Sequence, residues 1–312
     1  MKVGFVPQSV LQFWHNFNAE MIKNLVIVVG TVVCVLAVAI TWIVSLPRIP
    51  DIAIPDTADA IERGRYLVHA GGCISCHAGV GNETSLSGGL ALETDFGTFN
   101  VPNITPDKTT GIGNWRGRDF LLALKHGRRP DGGYYFPAFP YRAYAGLTDE
   151  DILDIGAWLL AQPAVDSRVP EHELAGWLSR WLMAGWNLLA DLLQDYPAGE
   201  TDPVLARGAY LVRNLGHCGE CHPPRNGLGI PDLGREFTGS GLGEKKIEAI
   251  NATALADWSR DDIKMVLSLG MLPDGEFVGG EMAKVVDHNT SQLTDADRSA
   301  IAAFLKRSGT TD

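Results

Sequence analysis

Cysteine is scarce in this 312-residue chain: there are five, and four of them fall in two short Cys-x-x-Cys-His motifs. The fifth, Cys34, lies in an apolar run and reads as a small hydrophobe. No pair remains for a structural disulfide, so disulfides say nothing about compartment. Basic charge is also short: 26 Lys and Arg stand against 37 Asp and Glu, a net charge of −11. That balance argues against nucleic acid as a partner and suits a partner with a basic face. No catalytic motif other than the two cysteine motifs is present. Long uncharged apolar runs are absent too, with one exception near the N-terminus.

What is present repeats itself, which bears on the whole fold. Arg63-Gly64 and Tyr66-Leu67-Val68 precede Cys73-Ile74-Ser75-Cys76-His77, just as Arg207-Gly208 and Tyr210-Leu211-Val212 precede Cys218-Gly219-Glu220-Cys221-His222. Further on, Trp115 and Pro130-Asp131-Gly132 match Trp258 and Pro273-Asp274-Gly275 at a constant offset of 143. Leu147-Thr148-Asp149 then matches Leu293-Thr294-Asp295, each opening an apolar-periodic run. Thr148 with Asp151 resembles a capping box. Each unit reads as helix, cysteine motif, long loop, short helix, second loop and terminal helix. The loop 78–114 is long and Gly-rich for a connection between helices. A large prosthetic group wrapped by the loop resolves this, and a short hairpin over 90–101 is an option within it.

Cys-x-x-Cys-His has a direct physical logic. Two thiols three positions apart add to the two vinyl groups on one edge of a porphyrin, and the adjacent His lies under the iron. Cys73, Cys76, Cys218 and Cys221 are therefore expected to carry two covalently bound haem c groups, with His77 and His222 as iron ligands. A zinc or dithiol redox site is the rival, weakened by the trailing His in both copies. In the second unit Met282 follows Gly279-Gly280-Glu281 on an expected loop and is taken as the other ligand of that iron. Met265 and Met271 compete, Met265 as a core residue of a predicted helix.

The first unit has no Met between His77 and its terminal helix. The 143 offset brings Phe139 to the position of Met282, and Phe cannot ligate iron. Three readings stay open: a five-coordinate iron covered by Phe139, a swung-in residue with His126 the nearest candidate, or a ligand from a partner or small molecule. His217 directly precedes Cys218 and is too constrained to reach the distal face. The aromatics Tyr134, Tyr135, Phe136, Phe139, Tyr141 and Tyr144 read as pocket wall rather than docking surface. Trp115 and Trp258 are candidates for hydrogen bonds to haem propionates, with core packing as the alternative.

The apolar exception is Leu25–Leu46, 22 residues without charge. At about 1.5 Å per residue it is long enough for the roughly 30 Å core of a bilayer, and it begins late for a cleaved signal peptide. Val10, Phe13, Trp14, Phe17 and Met21 before it recur at helical spacing and suit an interfacial helix or a poorly ordered tail. Flanking Lys and Arg give no clear orientation. The bacterial machinery that attaches haem to this motif works outside the cytoplasmic membrane, so residues after 46 are expected in the periplasm. A second apolar stripe, Leu174, Trp177, Leu178, Trp181, Leu182, Leu189 and Leu192, contains Arg180 and Asp191. It reads as a packing helix rather than a second span.

Several stretches resemble the multihaem cytochrome c subunits of membrane-bound periplasmic dehydrogenases, such as those of bacterial alcohol and gluconate dehydrogenases. These are Pro102-Asn103-Ile104-Thr105-Pro106-Asp107, Gly111-Ile112-Gly113-Asn114-Trp115, Pro137-Ala138-Phe139-Pro140-Tyr141 with Leu147-Thr148-Asp149-Glu150-Asp151, Trp186-Asn187, and Gly279-Gly280 before Met282. The family commonly has three haems and Pro-Ala-Met-Pro-Tyr; this chain has two motifs and Phe139. The resemblance implies His77, His222 and Met282 as ligands, no distal ligand for the first haem, and a dehydrogenase partner of unspecified substrate.

The expected architecture is all-α, two tandem cytochrome c domains behind a single N-terminal transmembrane helix. Its segments are 1–24 (N-terminal segment), 25–46 (anchor), 55–165 (first haem domain), 166–198 (linker with an amphipathic helix) and 199–312 (second haem domain). The expected role is electron transfer from a periplasmic dehydrogenase to a quinone, soluble cytochrome or terminal oxidase, as a non-catalytic subunit at the bacterial inner membrane. The rivals are a haem enzyme acting on peroxide, sulfur or nitrogen-oxide substrates at an open first iron, and a fixed cytochrome subunit of a respiratory oxidase complex.

Overall fold

The computed structural model describes residues 21–35, 37–38, 46–82, 85–194, 197–241 and 246–308. The chain divides into two compact units, Met1–Leu46 and Pro47–Asp312.

In the first unit the described residues form one helix, α1, over 21–35 and 37–38. Among the described residues no helix is long and apolar enough to cross a membrane. This corrects the expectation of an N-terminal transmembrane helix. At about 1.5 Å per residue the helical stretch 21–38 rises about 27 Å. The described stretch includes Lys23 and Asn24, so the apolar part of what is described falls short of the roughly 30 Å hydrocarbon core. The expected stripe of Val10, Phe13, Trp14 and Phe17 lies outside the described residues.

The second unit is built twice on one plan. Its first half has α2 (Ala58–Ala70), α3 (Cys73–His77), α4 (Gly117–His126), α5 (Tyr141–Tyr144) and α6 (Asp149–Leu160). After α7 (Leu182–Leu193), the second half has α8 (Pro203–Ala209), a 3-10 turn over Cys218–Glu220, α9 (Arg260–Leu269), α10 (Gly280–His288) and α11 (Asp295–Leu305). Thr148 and Thr294 cap the terminal helices α6 and α11 by accepting from the N–H groups of Asp151 and Asp297.

The repeated Arg-Gly pair is explained by how the helices cross. A Cβ on Gly64 would lie 1.9 Å from the Asp154 carbonyl oxygen of α6, and one on Gly208 would lie 2.2 Å from that of Ala300 in α11. Only glycine lets α2 and α8 approach their terminal helices this closely. The neighbouring arginines seal the crossings: Arg63 Nε donates to Asp154 at 2.6 Å, and Arg207 Nη2 donates to Asp297 at 2.7 Å.

The two halves differ by one residue between tyrosine and cysteine motif: seven positions from Tyr66 to Cys73, eight from Tyr210 to Cys218. The extra residue is absorbed where α8 runs into a π-helical turn over Tyr210–Leu215, a common way to accommodate a single insertion. The loops before the terminal helices keep register. Arg128 bridges Tyr134 as Met271 bridges Phe277, and Tyr135 N donates to Gly127 O as Val278 N donates to Gly270 O, both at 2.8 Å.

The structure is not all-α, which is a second correction. β1 (Ala91–Thr94) and β2 (Gly97–Asn100) form an antiparallel hairpin, and β3 (Glu173–Leu174) adds a third strand to β2. Gly97, at φ +116°, turns the hairpin, and a side chain there would strike the Glu173 carbonyl at 2.3 Å. The sheet ties the linker to the first half.

One hydrophobic core runs through both halves, joining Val68, Leu121 and Ile152 to Val212, Ile301 and Phe304. A second cluster buries Met183 of α7 among Phe99, Tyr134 and Phe136. Helix α7 is fixed to both halves: Tyr141 Oη donates to Asn187 Oδ1 at 2.7 Å, and Trp186 Nε1 donates to Leu228 O at 2.8 Å. Arg180, just before α7, donates to Tyr134 O and lies 4.6 Å from the centre of the Phe136 ring.

Candidate haem sites

The first motif occupies the one-and-a-half-turn helix α3, entered through Gly72 in the left-handed region at φ +69°. The second is wound as a 3-10 turn entered through His217 at φ +40°. None of the four motif cysteines is joined in a disulfide. Burial pushes the Cys73 and Cys218 thiols up to about 12, so both are neutral.

Each motif histidine is held through one nitrogen. His77 Nδ1 donates to Pro102 O at 2.8 Å and His222 Nδ1 donates to Glu248 O at 2.7 Å. This fixes the tautomer with Nε2 as the unprotonated nitrogen, the arrangement seen where an imidazole binds a metal. Burial lowers the His77 pKa to about 4 against the pull of the Pro102 carbonyl, and lowers that of His222 likewise. Both rings are therefore neutral donors near pH 7. With a free thiol pair on one side and an oriented imidazole beside it, the residues present fit a covalently attached haem in each half.

The structure places the two motifs side by side. The Cys221 thiol is near enough to Cys76 to help raise its pKa, after burial and the Glu281 carboxylate. Ser75 Oγ donates to Asn289 Oδ1 at 2.9 Å, and His69 Nδ1 donates to His288 O at 3.1 Å. Tyr144 Oη donates to Gly71 O at 2.6 Å, and its ring meets that of His217 at 5.5 Å. Tyr66 Oη donates to Asp297 Oδ2 at 2.5 Å across the two halves, and Tyr210 Oη donates to Asp151 in the reciprocal contact. This interlock was not read from the sequence, although the repeated Tyr-Leu-Val and Leu-Thr-Asp segments supply both of its sides.

Met282 lies in the first turn of α10, half-buried, rather than on a free loop. Phe139 is half-buried against the rings of Tyr135, Tyr144 and Tyr141 at 5.2, 5.7 and 6.4 Å. His126 is exposed at the end of α4. Trp115 and Trp258 are half-buried against the main core, Trp115 edge-on to Phe120 at 5.1 Å. Neither indole N–H has a partner among the described residues.

Two haem-attachment motifs, each beside an oriented imidazole and between helices crossing at glycine, define a c-type cytochrome. The chain belongs to the family of dihaem cytochromes c and dehydrogenase cytochrome c subunits, whose members carry covalently bound haem c and transfer electrons. It is 47% identical over 252 residues to a dihaem cytochrome c of Cereibacter sphaeroides, covering 79% of this chain and 85% of that protein. It is 38% identical to the gluconate 2-dehydrogenase cytochrome c subunit of Pantoea cypripedii, covering 81% of this chain and 60% of the relative. It is 37% identical to the fructose dehydrogenase cytochrome subunit of Gluconobacter japonicus, covering 79% and 52%. The chain thus spans roughly half to three-fifths of these dehydrogenase subunits. No family model matches the chain.

Proposed function

We propose that this chain is a dihaem electron-transfer subunit that takes electrons from a periplasmic dehydrogenase and passes them to a quinone, a soluble cytochrome or a terminal oxidase. In this reading residues 55–165 and 199–312 each carry one haem c and 166–198 joins them. Cys73 with Cys76 and Cys218 with Cys221 form the thioethers. His77 and His222 ligate the irons, and Met282 completes the second. Trp115 and Trp258 donate to propionates.

The observation that carries the reading is the pair of motif histidines, each fixed through Nδ1 by a backbone carbonyl. The haem, when bound, supplies a one-electron couple. The protein's own part is to orient the imidazoles, exclude water with the shared core, and hold the two attachment edges close together. A thioether at Met282 favours the reduced state and closes that iron to outside ligands. The dehydrogenase names of the relatives support the partner class. We place the haem-bearing part in the periplasm, at the cytoplasmic membrane, because haem attachment to this motif takes place outside the cytoplasm.

The test is to purify the chain with its companions from native membranes. A co-purifying dehydrogenase should reduce both haems when given its substrate. If no co-purifying dehydrogenase reduces either haem, the partner assignment fails.

A further inference from the structure

The second half has a methionine where the first has Phe139, and the structure bears out the register of that comparison. The turns that lead into both positions carry the same pattern, from the Arg128–Tyr134 and Met271–Phe277 bridges to the hydrogen bonds that close at Tyr135 and Val278. Four residues on from these bonds stand Phe139 and Met282.

Among the described residues, several other side chains capable of ligating iron are committed elsewhere, among them His172, which accepts from Asn100 N through Nδ1 and packs on Phe99 and Phe136. No methionine lies between 22 and 182. Met183 is buried with Phe99, Tyr134 and Phe136 in a cluster separate from the core that Phe139 packs against. His69 is bound to His288 O. His217 is buried and packed edge-on against Tyr144 at 5.5 Å. His126 is exposed at the end of α4, and Lys125 is paired with Asp149.

The polar groups around Phe139 are unequal. Tyr144 and Tyr141 have committed their hydroxyls, to Gly71 O at 2.6 Å and Asn187 at 2.7 Å. Tyr135, whose ring is 5.2 Å from that of Phe139, has no hydroxyl partner among the described residues. Burial pushes its phenol up to about 12, so it is a neutral donor rather than a phenolate.

Resting on the haem assignment above, we propose that the haem attached at Cys73 and Cys76 keeps its sixth position for a small neutral diatomic ligand, with Phe139 as its cover and Tyr135 as the hydrogen-bond donor to it. An aromatic wall with one uncommitted hydroxyl suits a ligand with no charge and one weak acceptor end. The first half then differs from the second in chemistry as well as sequence: one iron is closed by Met282, and the other answers to a dissolved gas.

The experiment uses the full-length holoprotein, with haem content measured first by the pyridine haemochrome. The protein is reduced and titrated with carbon monoxide. The expected difference spectrum corresponds to one haem per chain, half of the total. Phe139→Met, which restores a thioether, should cut the bound carbon monoxide at least tenfold. Phe139→Leu, which adds no sulfur, should leave it at one per chain. Tyr135→Phe should keep binding but raise the C–O stretching frequency. Two haems and no carbon monoxide spectrum would overturn the proposal while leaving the haem assignment standing. So would a spectrum unchanged in Phe139→Met. A chain that carries no haem would overturn the assignment and the proposal together.

Discussion

One backbone carbonyl beside each motif histidine decides which ring nitrogen stays unprotonated, the nitrogen that would meet iron in the proposed haem sites. Pro102 and Glu248 do this for His77 and His222, and burial keeps both rings neutral. On the proposed ligation by Met282, replacing it with Ala should open the second iron, adding one carbon monoxide site per chain and lowering that haem's reduction potential; a redox titration and a gas titration read the two effects. Asp297 is a second informative residue. Burial raises its pKa, but hydrogen bonds from Arg207 and Tyr66 outweigh this and hold the carboxyl below its ordinary 3.8. A depressed folded-state value means that its stabilisation is complete above the unfolded value and is lost as pH falls through the folded one. Asp297→Asn should therefore destabilise the protein by about 1–3 kcal/mol at neutral pH, since it leaves Arg207 and Tyr66 short of a partner. The difference from wild type should shrink as pH drops below 3.8, which denaturant unfolding at several pH values would show.

At the scale of elements, the helix crossings rest on two glycines. Gly64→Val or Gly208→Val would drive a side chain into a backbone carbonyl and should cost at least about 2 kcal/mol, measured by thermal unfolding of the holoprotein. The Arg-Gly pair was legible only as a repeat, since the close crossing it permits depends on which helix packs there; the capped terminal helices were legible, because Leu-Thr-Asp marks a helix start in both halves. The sheet was only half legible. The hairpin at 91–100 had its Asp95–Gly97 turn, whereas β3 is two residues of linker whose strand character comes wholly from pairing with β2. The π-helical turn at Tyr210–Leu215 had no compositional mark; only the one-residue difference in spacing betrays it. The run 25–46 met the length and hydropathy criteria for a membrane span, but among the described residues no helix is long and apolar enough to cross a membrane.

On the scale of the whole molecule, the haem-bearing unit is two repeats with one core, and that core sets its behaviour. Cleavage in the extended stretch 163–172 should leave both fragments together on size exclusion, with a single thermal transition, because Val68 and Ile152 share a cluster with Val212 and Phe304. Two transitions would mean that the halves fold apart. The reciprocal Tyr66–Asp297 and Tyr210–Asp151 contacts hold the cysteine motifs side by side, which suits the proposed passage of an electron from one haem to the other. The cysteine motifs and their histidines were fully legible in the sequence; their convergence was not, since it depends on residues up to 231 positions apart. The most direct test of the account is the mass of the denatured, full-length protein made with the haem-attachment machinery, followed by sequencing of its haem peptides. The account predicts the chain plus two haem groups, one on Cys73 and Cys76 and one on Cys218 and Cys221. A chain bearing no haem, or haem at only one motif, would contradict it.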